Sequence, residues 1–342
     1  VQAFGTITGN IFVTVPLLYF DIGYWAIIIG LWVSELISIL FILQKGWGNL
    51  RYKIYKKELV EISKFASAFF FNNTLGMISQ QIDIAIVSRY MGSAALGNYS
   101  RTMQLVEFPN QIYWLVVDRV IFPVMSAMKS EKDTLIRFFL QSLSLLSLAL
   151  TLGTIVLIVG AQEVVLIMMG SQWSDVGDLL QILAGCIIFR ALASFMDSFL
   201  AAYDLVKILT IKQVVSLSIL LLSVWLGVDY GVTGVAYAVL FASLLRFLLT
   251  LTLIVINTKI TYIQLIKEFI PSIFSLAIIV VFYSLISQLP MLSGLLGVIV
   301  SVFLFSLLSI FKPLDILLSE NGVLILKRLK FRICSRLALT TF

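Results

Sequence analysis

The sequence predicts an all-α polytopic membrane protein, and three observations lead to this fold class. The chain of 342 residues has a mean hydropathy of +1.05, and 60% of its residues are hydrophobic. Only 12% of its residues are charged, whereas soluble domains carry about 25% charged residues. The apolar residues also fall into repeated runs of about 20 residues, which is the length that an α-helix needs to cross a bilayer.

Two residue types that often carry chemistry are scarce. Histidine, the commonest general base and a frequent metal ligand, is absent from the sequence. Cys186 falls within an apolar run and Cys334 within a basic segment, so their positions offer neither a disulfide framework nor a metal site. We therefore expect no metal, no cofactor and no catalytic residues, and a transporter rather than an enzyme.

Apolar windows of about 20 residues predict about ten spans. Pro109 lies within the fourth of them, where it removes a backbone donor and should kink the helix. The predicted spans are 1–20, 23–44, 63–88, 97–127, 138–160, 178–203, 208–228, 231–256, 268–288 and 291–311.

The connections between these spans alternate in charge. Most of the 24 Lys and Arg residues fall in every second connection, namely 45–64, 129–137, 207–212, 259–267 and 312–336. Cytoplasmic loops of membrane proteins carry an excess of Lys and Arg, so this side is predicted to be cytoplasmic. The C-terminus is then expected in the cytoplasm as well.

Two predicted hairpins look alike and suggest an internal repeat. The segments "FDIGYWAIIIG" and "VDYGVTGVAYA" share an Asp-x-Gly turn, with Asp21 and Asp229 at matching positions, followed by an apolar helix. Transporters are often built from such repeats, with the substrate site between the halves. If the second copy is 63–256, the first copy would begin before Val1, and we expect a fragment whose first helices are missing.

Ionisable side chains occur within the predicted spans, where a charge costs at least about 2.5–3.5 kcal/mol near the bilayer centre. Some could reach the interface or form structural pairs between helices. Arg190 and Asp197, two turns apart on one face of the span 178–203, are candidates for such pairing. Taken together, the ionisable side chains predict a hydrated cavity between helices, and Asp83 is expected to lie near Arg101. The set comprises Glu35, Asp83, Arg101, Glu107, Asp118, Arg119, Arg190, Asp197 and Arg246.

The last segment of the chain, 313–342, includes "KRLKFRICSR", which interleaves basic and apolar residues. This pattern is typical of a helix on the surface of an inner leaflet that contacts membrane lipids. We do not expect it to bind nucleic acid.

The segments "IDIAIVSRYMGSAALGNYSRTMQLVEFPNQ" (82–111) and "DRVIFPVMSAM" (118–128) carry a family resemblance. They resemble the polysaccharide-transporter branch of the MOP exporter superfamily, which includes the O-antigen and exopolysaccharide flippases of bacteria. Asp118 departs from the pattern, since relatives often have a neutral residue there. The matching positions are Asp83, Arg89, Gly92, Ala95, Leu96, Gly97, Tyr99, Ser100, Arg101, Pro109, Arg119, Val120, Phe122 and Pro123.

The resemblance implies a MATE-like bundle of two six-helix lobes around a central cavity, with two extra C-terminal helices. About ten of the family's fourteen or so spans would then be present. The implied divisions are 1–45 for the last two helices of the N-terminal lobe, 46–62 for a cytoplasmic linker, 63–256 for the C-terminal lobe, 257–312 for the extra helices and 313–342 for the basic tail.

The resemblance further implies alternating-access transport of a polyprenyl-pyrophosphate-linked oligosaccharide across the bacterial inner membrane, together with other polysaccharide assembly proteins. Arginine pairs well with phosphate oxygens and stays charged, so Arg101, Arg119, Arg190 and Arg246 are candidates for the pyrophosphate. The candidate acids for the cavity or for coupling to H⁺ or Na⁺ are Asp83, Glu107, Asp197 and Glu35. Candidate sugar contacts are Asn72, Asn73, Gln80, Gln81, Asn110 and Gln111.

Three other functions compete with this prediction. A cation-coupled multidrug exporter of the same superfamily would favour an acidic, aromatic cavity rather than arginines. A flippase for the peptidoglycan lipid precursor would need the same headgroup chemistry. A membrane enzyme such as a glycan polymerase or ligase would usually carry a large outer loop, and the longest such connection here, 161–177, contains only Glu163 and Asp175 as acids.

Overall fold

The computed structural model describes residues 10–19, 23–46 and 56–286 of the chain. All regular secondary structure within these ranges is helical. The all-helical class predicted from the sequence is therefore confirmed, while the number of spans and the two-lobe arrangement stay predictions. The chain divides into two compact units, Val1–Ala68 and Phe69–Phe342, and each is described by itself.

In the first unit, a π-helical turn at Asn10–Thr14 leads into α1 (Val15–Tyr19), and α2 follows at Tyr24–Gly46. Small residues occupy every fourth position of α2 and are buried: Ala26, Gly30, Ser34 and Ser38. A Cβ at Gly30 would lie 1.8 Å from Thr14 Oγ1. The small stripe thus lets α2 pack closely against the π-helical turn, as small residues do between membrane helices.

The helix α3 spans Lys56–Val116 and is interrupted at Gly92, whose φ of 81° and ψ of 178° are not helical. The Tyr99 hydroxyl donates to Asp83 Oδ2 over 2.9 Å, although the two residues are 16 positions apart. A continuous helix would separate them by about 24 Å. The chain must therefore reverse at Gly92, as glycine allows, and 69–116 forms the helical hairpin that the predicted spans 63–88 and 97–127 require.

The rest of the second unit continues as helices joined by short turns. A π-helical segment at Val117–Ile121 follows α3, and the helix that the sequence predicted to start at 63 already begins at Lys56. The remaining helices are α4 (Phe122–Ala127), α5 (Lys132–Val159), α6 (Ala161–Met169), α7 (Ser174–Ala202), α8 (Val206–Gly227), α9 (Gly231–Asn257) and α10 (Tyr262–Ile286).

Helix α7 is the central helix of the second unit. In the described part of the chain, three stretches are long and apolar enough to cross a membrane: Lys132–Val159, Ser171–Ala202 and Val206–Asn257. Of the most apolar window of each, 67% is buried in the stretch that contains α7 and 28% in each of the others. These helices are similarly apolar, so the difference in burial reflects their positions. Helix α7 lies inside the unit, and the others present apolar faces outward, as a lipid environment requires.

Two buried clusters pack around α7. One contains Val87, Tyr99 and Leu180, and the other contains Phe139, which stacks on Phe195 and Phe199 with ring centroids 5.4 and 4.0 Å apart. Such aromatic stacks bury large areas and fix the helix α5 against α7.

The hairpin between α8 and α9 contains the Asp229 turn that the sequence analysis singled out. Asp229 lies in a 3₁₀ turn at Val228–Tyr230, and Gly231 has a φ of 72°. A Cβ at Gly234 would lie 2.4 Å from the carbonyl oxygen of Gly227, so the two helices approach closely there. Asp21, the predicted counterpart in the repeat, lies outside the described residues, as do the predicted span 291–311 and the basic tail.

Candidate functional site

A polar cavity of about 470 Å³ lies within the second unit. Its walls come from the hairpin of α3 and from α7, α8 and α9, all of which are otherwise rich in apolar residues. The charged and amide side chains of its lining are Gln80, Glu107, Asn110, Arg190, Asp197, Gln213 and Arg246, and serines 79, 194, 216 and 243 add hydroxyl groups. Ionisable groups inside a membrane protein usually face such a cavity.

Arg190 on α7 is anchored to two neighbouring helices. Its Nη1 lies 3.2 Å from Glu107 Oε1 on α3, and its Nε donates to Ser243 Oγ on α9 over 3.3 Å. Its side chain is only 18% exposed, whereas that of Glu107 is 39% exposed. The guanidinium is therefore held in a fixed orientation, and one carboxylate balances its charge.

Asp197, two turns after Arg190 on α7, accepts hydrogen bonds from two cations. Lys212 Nζ on α8 contacts both of its carboxylate oxygens, and Arg246 Nη2 on α9 lies 3.5 Å from Oδ2. Lys212 also donates to Thr250 Oγ1 over 3.3 Å, and its side chain is only 1% exposed. One carboxylate is thus shared by a fully buried ammonium group and a guanidinium group at the cavity wall.

The sequence analysis missed Lys212 because it assigned this residue to a basic cytoplasmic connection. That assignment is wrong: Lys212 lies within α8 and is buried. Asp197 is about 8 Å before the end of α7 and Lys212 about 9 Å after the start of α8, at 1.5 Å per residue. The turn between α7 and α8 is short, so residues at equal distances before and after it lie at the same depth and can meet. This relation is the signal that could have predicted the pair of Asp197 and Lys212.

Three polar atoms of the lining residues are buried without a hydrogen-bond partner: Arg246 Nε, Asn110 Oδ1 and Ser216 Oγ. An unpaired buried donor or acceptor costs about 1–3 kcal/mol, so such atoms are rare unless a ligand or water completes them. They come from three different helices that line one cavity. These atoms are enclosed by protein rather than open to the cavity, so they are unsatisfied polar groups within its walls.

The structure brings together six of the residues predicted for the site. Arg190, Arg246, Glu107, Asp197, Gln80 and Asn110 all line the cavity. The lining residues Gln213 and Ser243 and the second-layer residue Thr250 were not predicted, since single polar residues in an apolar helix give only a weak signal.

Other predicted residues lie elsewhere. Arg101 and Arg119 are exposed and outside the cavity lining, as are Gln81 and Gln111. Arg101 donates from Nη1 to Gln104 Oε1 over 2.9 Å, and its guanidinium carbon is 5.7 Å from the centre of the Trp173 ring. Glu35 is an exposed residue of the first unit. The side chains of Asn72, Asn73 and Asp118 lie outside what the structure describes.

Asp83 is buried, with 1% of its surface exposed, but its partner is not the one expected. The predicted neighbour was Arg101, and this prediction is wrong, since Tyr99 and the backbone N–H of Ile84 donate to the carboxylate, each over 2.9 Å. Tyr99 and Arg101 are two positions apart on one helix and so point about 200° apart. When Tyr99 faces Asp83, Arg101 must face away.

The charges near the cavity balance. The lining carries two negative charges, on Glu107 and Asp197, and two positive charges, on Arg190 and Arg246, and the buried groups Lys212 and Asp83 add one charge of each sign. Among the residues that the structure describes, no three His, Cys, Asp or Glu side chains are grouped as a metal site would need. The guanidinium groups of Arg190 and Arg246 at the wall can donate hydrogen bonds to the oxygens of an anionic ligand.

Comparison with known proteins supports this description. Residues 1–178 match the family described as "Polysaccharide biosynthesis protein". The succinoglycan biosynthesis transport protein ExoT of Rhizobium meliloti (strain 1021) is 23% identical over 50% of this chain and 35% of its own length. The teichuronic acid biosynthesis protein TuaB of Bacillus subtilis (strain 168) is 25% identical over 53% of this chain and 40% of its own.

A membrane protein of the cps region of Klebsiella pneumoniae is 24% identical over 68% of this chain and 48% of its own length. The chain therefore spans between about a third and a half of the curated relatives that it matches.

Among solved structures, the lipid II flippase MurJ in an inward closed conformation is similar, with a TM-score of 0.67 and 18% sequence identity. The alignment covers 92% of this chain and 68% of MurJ. At this identity the likeness shows a shared fold. With a family match over more than half of its length, the chain belongs to the polysaccharide biosynthesis protein family.

Proposed function

We propose that this protein is a flippase that moves a polyprenyl-pyrophosphate-linked oligosaccharide across the bacterial inner membrane for the synthesis of a surface polysaccharide. The family and the transport relatives support a role in polysaccharide export, and the MurJ-like fold supports a flippase architecture. The observation that carries the proposal is the polar cavity inside apolar helices, with the guanidinium groups of two arginines at its wall.

The headgroup is the part of such a substrate that needs the protein most. A pyrophosphate cannot cross hydrocarbon unpaired, because the burial of a bare charge is prohibitively costly. Arg190 and Arg246 line the cavity and can donate several hydrogen bonds to phosphate oxygens. The exposed guanidinium groups of Arg101 and Arg119 are candidates for contacts with the headgroup outside this cavity.

The sugars need hydrogen-bonding groups without charge. Gln80 and Asn110 are predicted sugar contacts that line the cavity, and the neighbouring Gln213 donates to Ser79 Oγ over 3.2 Å. The polyprenyl tail needs only a lateral opening toward lipid. Membrane lipids and other polysaccharide assembly proteins are the proposed partners, and the C-terminus is proposed to be cytoplasmic.

Coupling to H⁺ or Na⁺ would require an acid that can change its partner. Asp83 and Glu107 are the proposed candidates. Asp83 is buried with a hydroxyl and a backbone N–H as its partners, and Glu107 is the more exposed member of its ion pair. Either carboxylate could take up a cation when its present partner leaves.

Two of the three competing functions fit the cavity less well. A multidrug exporter of hydrophobic cations would need free carboxylates, but both lining acids, Glu107 and Asp197, are engaged by cations. Transport of a peptidoglycan lipid precursor requires the same pyrophosphate chemistry and differs only in the sugars. A membrane enzyme would need a catalytic group, and the cavity offers no histidine, because the sequence has none.

Complementation in cells tests the proposal. The complete protein with Arg190→Ala is expected to stop surface polysaccharide production while it accumulates normally in the membrane. Arg137→Ala on α5, an exposed arginine away from the cavity, is the matched control and should complement fully. Normal surface glycan with Arg190→Ala would contradict the proposal, and drug efflux by the wild type in a parallel assay would favour the exporter instead.

A further inference from the structure

Lys212 and Arg246 compete for a single carboxylate, and they do so from different depths. Lys212 is buried behind the cavity wall and contacts both oxygens of Asp197. Arg246 lines the cavity, its side chain is 27% exposed, and its Nη2 is 3.5 Å from Asp197 Oδ2. The group of Lys212, Arg246 and Asp197 therefore carries one net positive charge.

The hydrogen bonds show which cation keeps the carboxylate. Lys212 uses its three donors on the two Asp197 oxygens and on Thr250 Oγ1. Thr250 in turn donates to the carbonyl oxygen of Arg246 over 2.8 Å, which fixes it on α9. The contact from Arg246 Nη2 to Asp197 is at the limit of hydrogen-bond distance, and the Arg246 side chain is 27% exposed at the cavity. Lys212 therefore satisfies Asp197, and Arg246 retains donors for another group.

Arg190 stands in a different position. Glu107 balances its charge one for one, and Ser243 occupies its Nε. Arg246 is different among the described cations of the cavity lining, because Lys212 already neutralises the carboxylate beside it, that of Asp197. Of the two lining guanidinium groups, Arg246 is consequently the one held less tightly by a carboxylate.

We propose that Lys212 is a positioning residue that neutralises Asp197 and so keeps Arg246 free to bind the anionic headgroup of the substrate. This inference rests on the proposed flippase function and makes Arg246 the principal contact of the pyrophosphate. Without Lys212, the Asp197 carboxylate pairs tightly with Arg246. The guanidinium of Arg246 is then no longer available to the headgroup. The phosphate then has to compete with a carboxylate that is held beside the arginine.

Five variants of the complete protein test this role: Lys212→Met, Asp197→Asn, the double variant, the double variant with Arg246→Met, and Lys207→Met. Lys207 is an exposed lysine of the same helix and serves as the matched control. The binding of farnesyl pyrophosphate to the purified protein is measured, with inorganic pyrophosphate as a second probe for the headgroup alone. Thermal unfolding of each variant is recorded beside the binding curve.

Lys212→Met is expected to weaken farnesyl pyrophosphate binding about tenfold or more, which corresponds to one charge-assisted hydrogen bond. The double variant should bind as the wild type does, because the carboxylate that captures Arg246 is gone as well. Adding Arg246→Met to the double variant should abolish this binding. Asp197→Asn should bind more tightly than the wild type, and Lys207→Met should be unchanged.

A purely structural role for Lys212 would lower the unfolding temperature and would leave the double variant as weak as Lys212→Met, which would overturn the inference. If Lys212→Met does not accumulate in the membrane, the double variant can still be tested. Undiminished binding of farnesyl pyrophosphate after Arg246→Met is added to the double variant would also overturn the inference. Tighter binding of farnesyl pyrophosphate than of inorganic pyrophosphate would support a lipid-linked ligand, whereas equal binding would show that the site does not distinguish a lipid headgroup from free pyrophosphate. Wild-type protein that binds neither probe would instead remove the proposed function itself.

Discussion

Arg190 on α7 and Glu107 on α3 form an ion pair of 3.2 Å at the wall of the polar cavity. The pair joins the central helix to the second half of the hairpin that reverses at Gly92. It also sets the charge of the cavity, because Glu107 cancels one of the two lining guanidinium groups.

Glu107→Gln is expected to tighten the binding of a prenyl pyrophosphate several-fold, by about the energy of one partly exposed charge pair. Glutamine keeps an oxygen that accepts a hydrogen bond from Arg190 but removes the negative charge. A titration of purified protein with farnesyl pyrophosphate measures the change, with Glu131→Gln, an exposed acid before α5, as the control. Weaker binding by Glu107→Gln would show that the charge of Arg190 is not available to an anion.

Tyr99→Phe is expected to destabilise the helical hairpin of α3. It removes the hydroxyl that donates to Asp83 and leaves a buried carboxylate with only a backbone N–H, which costs about 1.5–3 kcal/mol. Asp83→Asn should cost less in the wild-type background, and Tyr99→Phe should cost little once Asp83 is Asn. Thermal unfolding of the four proteins of this double-mutant cycle measures the coupling, and additive losses would contradict the proposed bond.

Gly234→Ala is expected to destabilise the hairpin of α8 and α9. The new Cβ would lie 2.4 Å from the Gly227 carbonyl oxygen, which is backbone and cannot move alone. Gly153→Ala in α5 is a matched control, since a Cβ there meets no atom within 4 Å, and alanine should stabilise the helix by up to about 1 kcal/mol. Unfolding temperatures that fall for Gly153→Ala and stay constant for Gly234→Ala would contradict the packing described here.

The sequence predicted those features that depend on the chain's own local pattern. Runs of apolar residues predicted the helices of the second unit, because a helix that faces lipid must be apolar over its whole length. The spacing of Arg190 and Asp197 by two helical turns predicted a common face, and both side chains line the cavity.

The features that the sequence did not predict depend on contacts between helices. Lys212 looked like a loop residue because its basic neighbours suggested a cytoplasmic connection, and only the packing of α8 against α7 shows that it is buried. Arg101 was paired with Asp83 on charge alone, whereas the rotation of the helix after Gly92 places Tyr99 there instead. The charges of two residues are the same whichever way their helices are rotated, so charge alone cannot predict which side chain faces Asp83.

The central claim is that cationic side chains of this cavity carry an anionic lipid headgroup across the membrane. Its most direct measurement is the translocation of a labelled polyprenyl-pyrophosphate-linked oligosaccharide in proteoliposomes that contain the complete protein. We predict transfer by the wild type and by Arg137→Met, and loss of most transfer in Arg190→Met and Arg246→Met at equal protein content. Equal transfer by all four proteins, or none by the wild type, would contradict the claim.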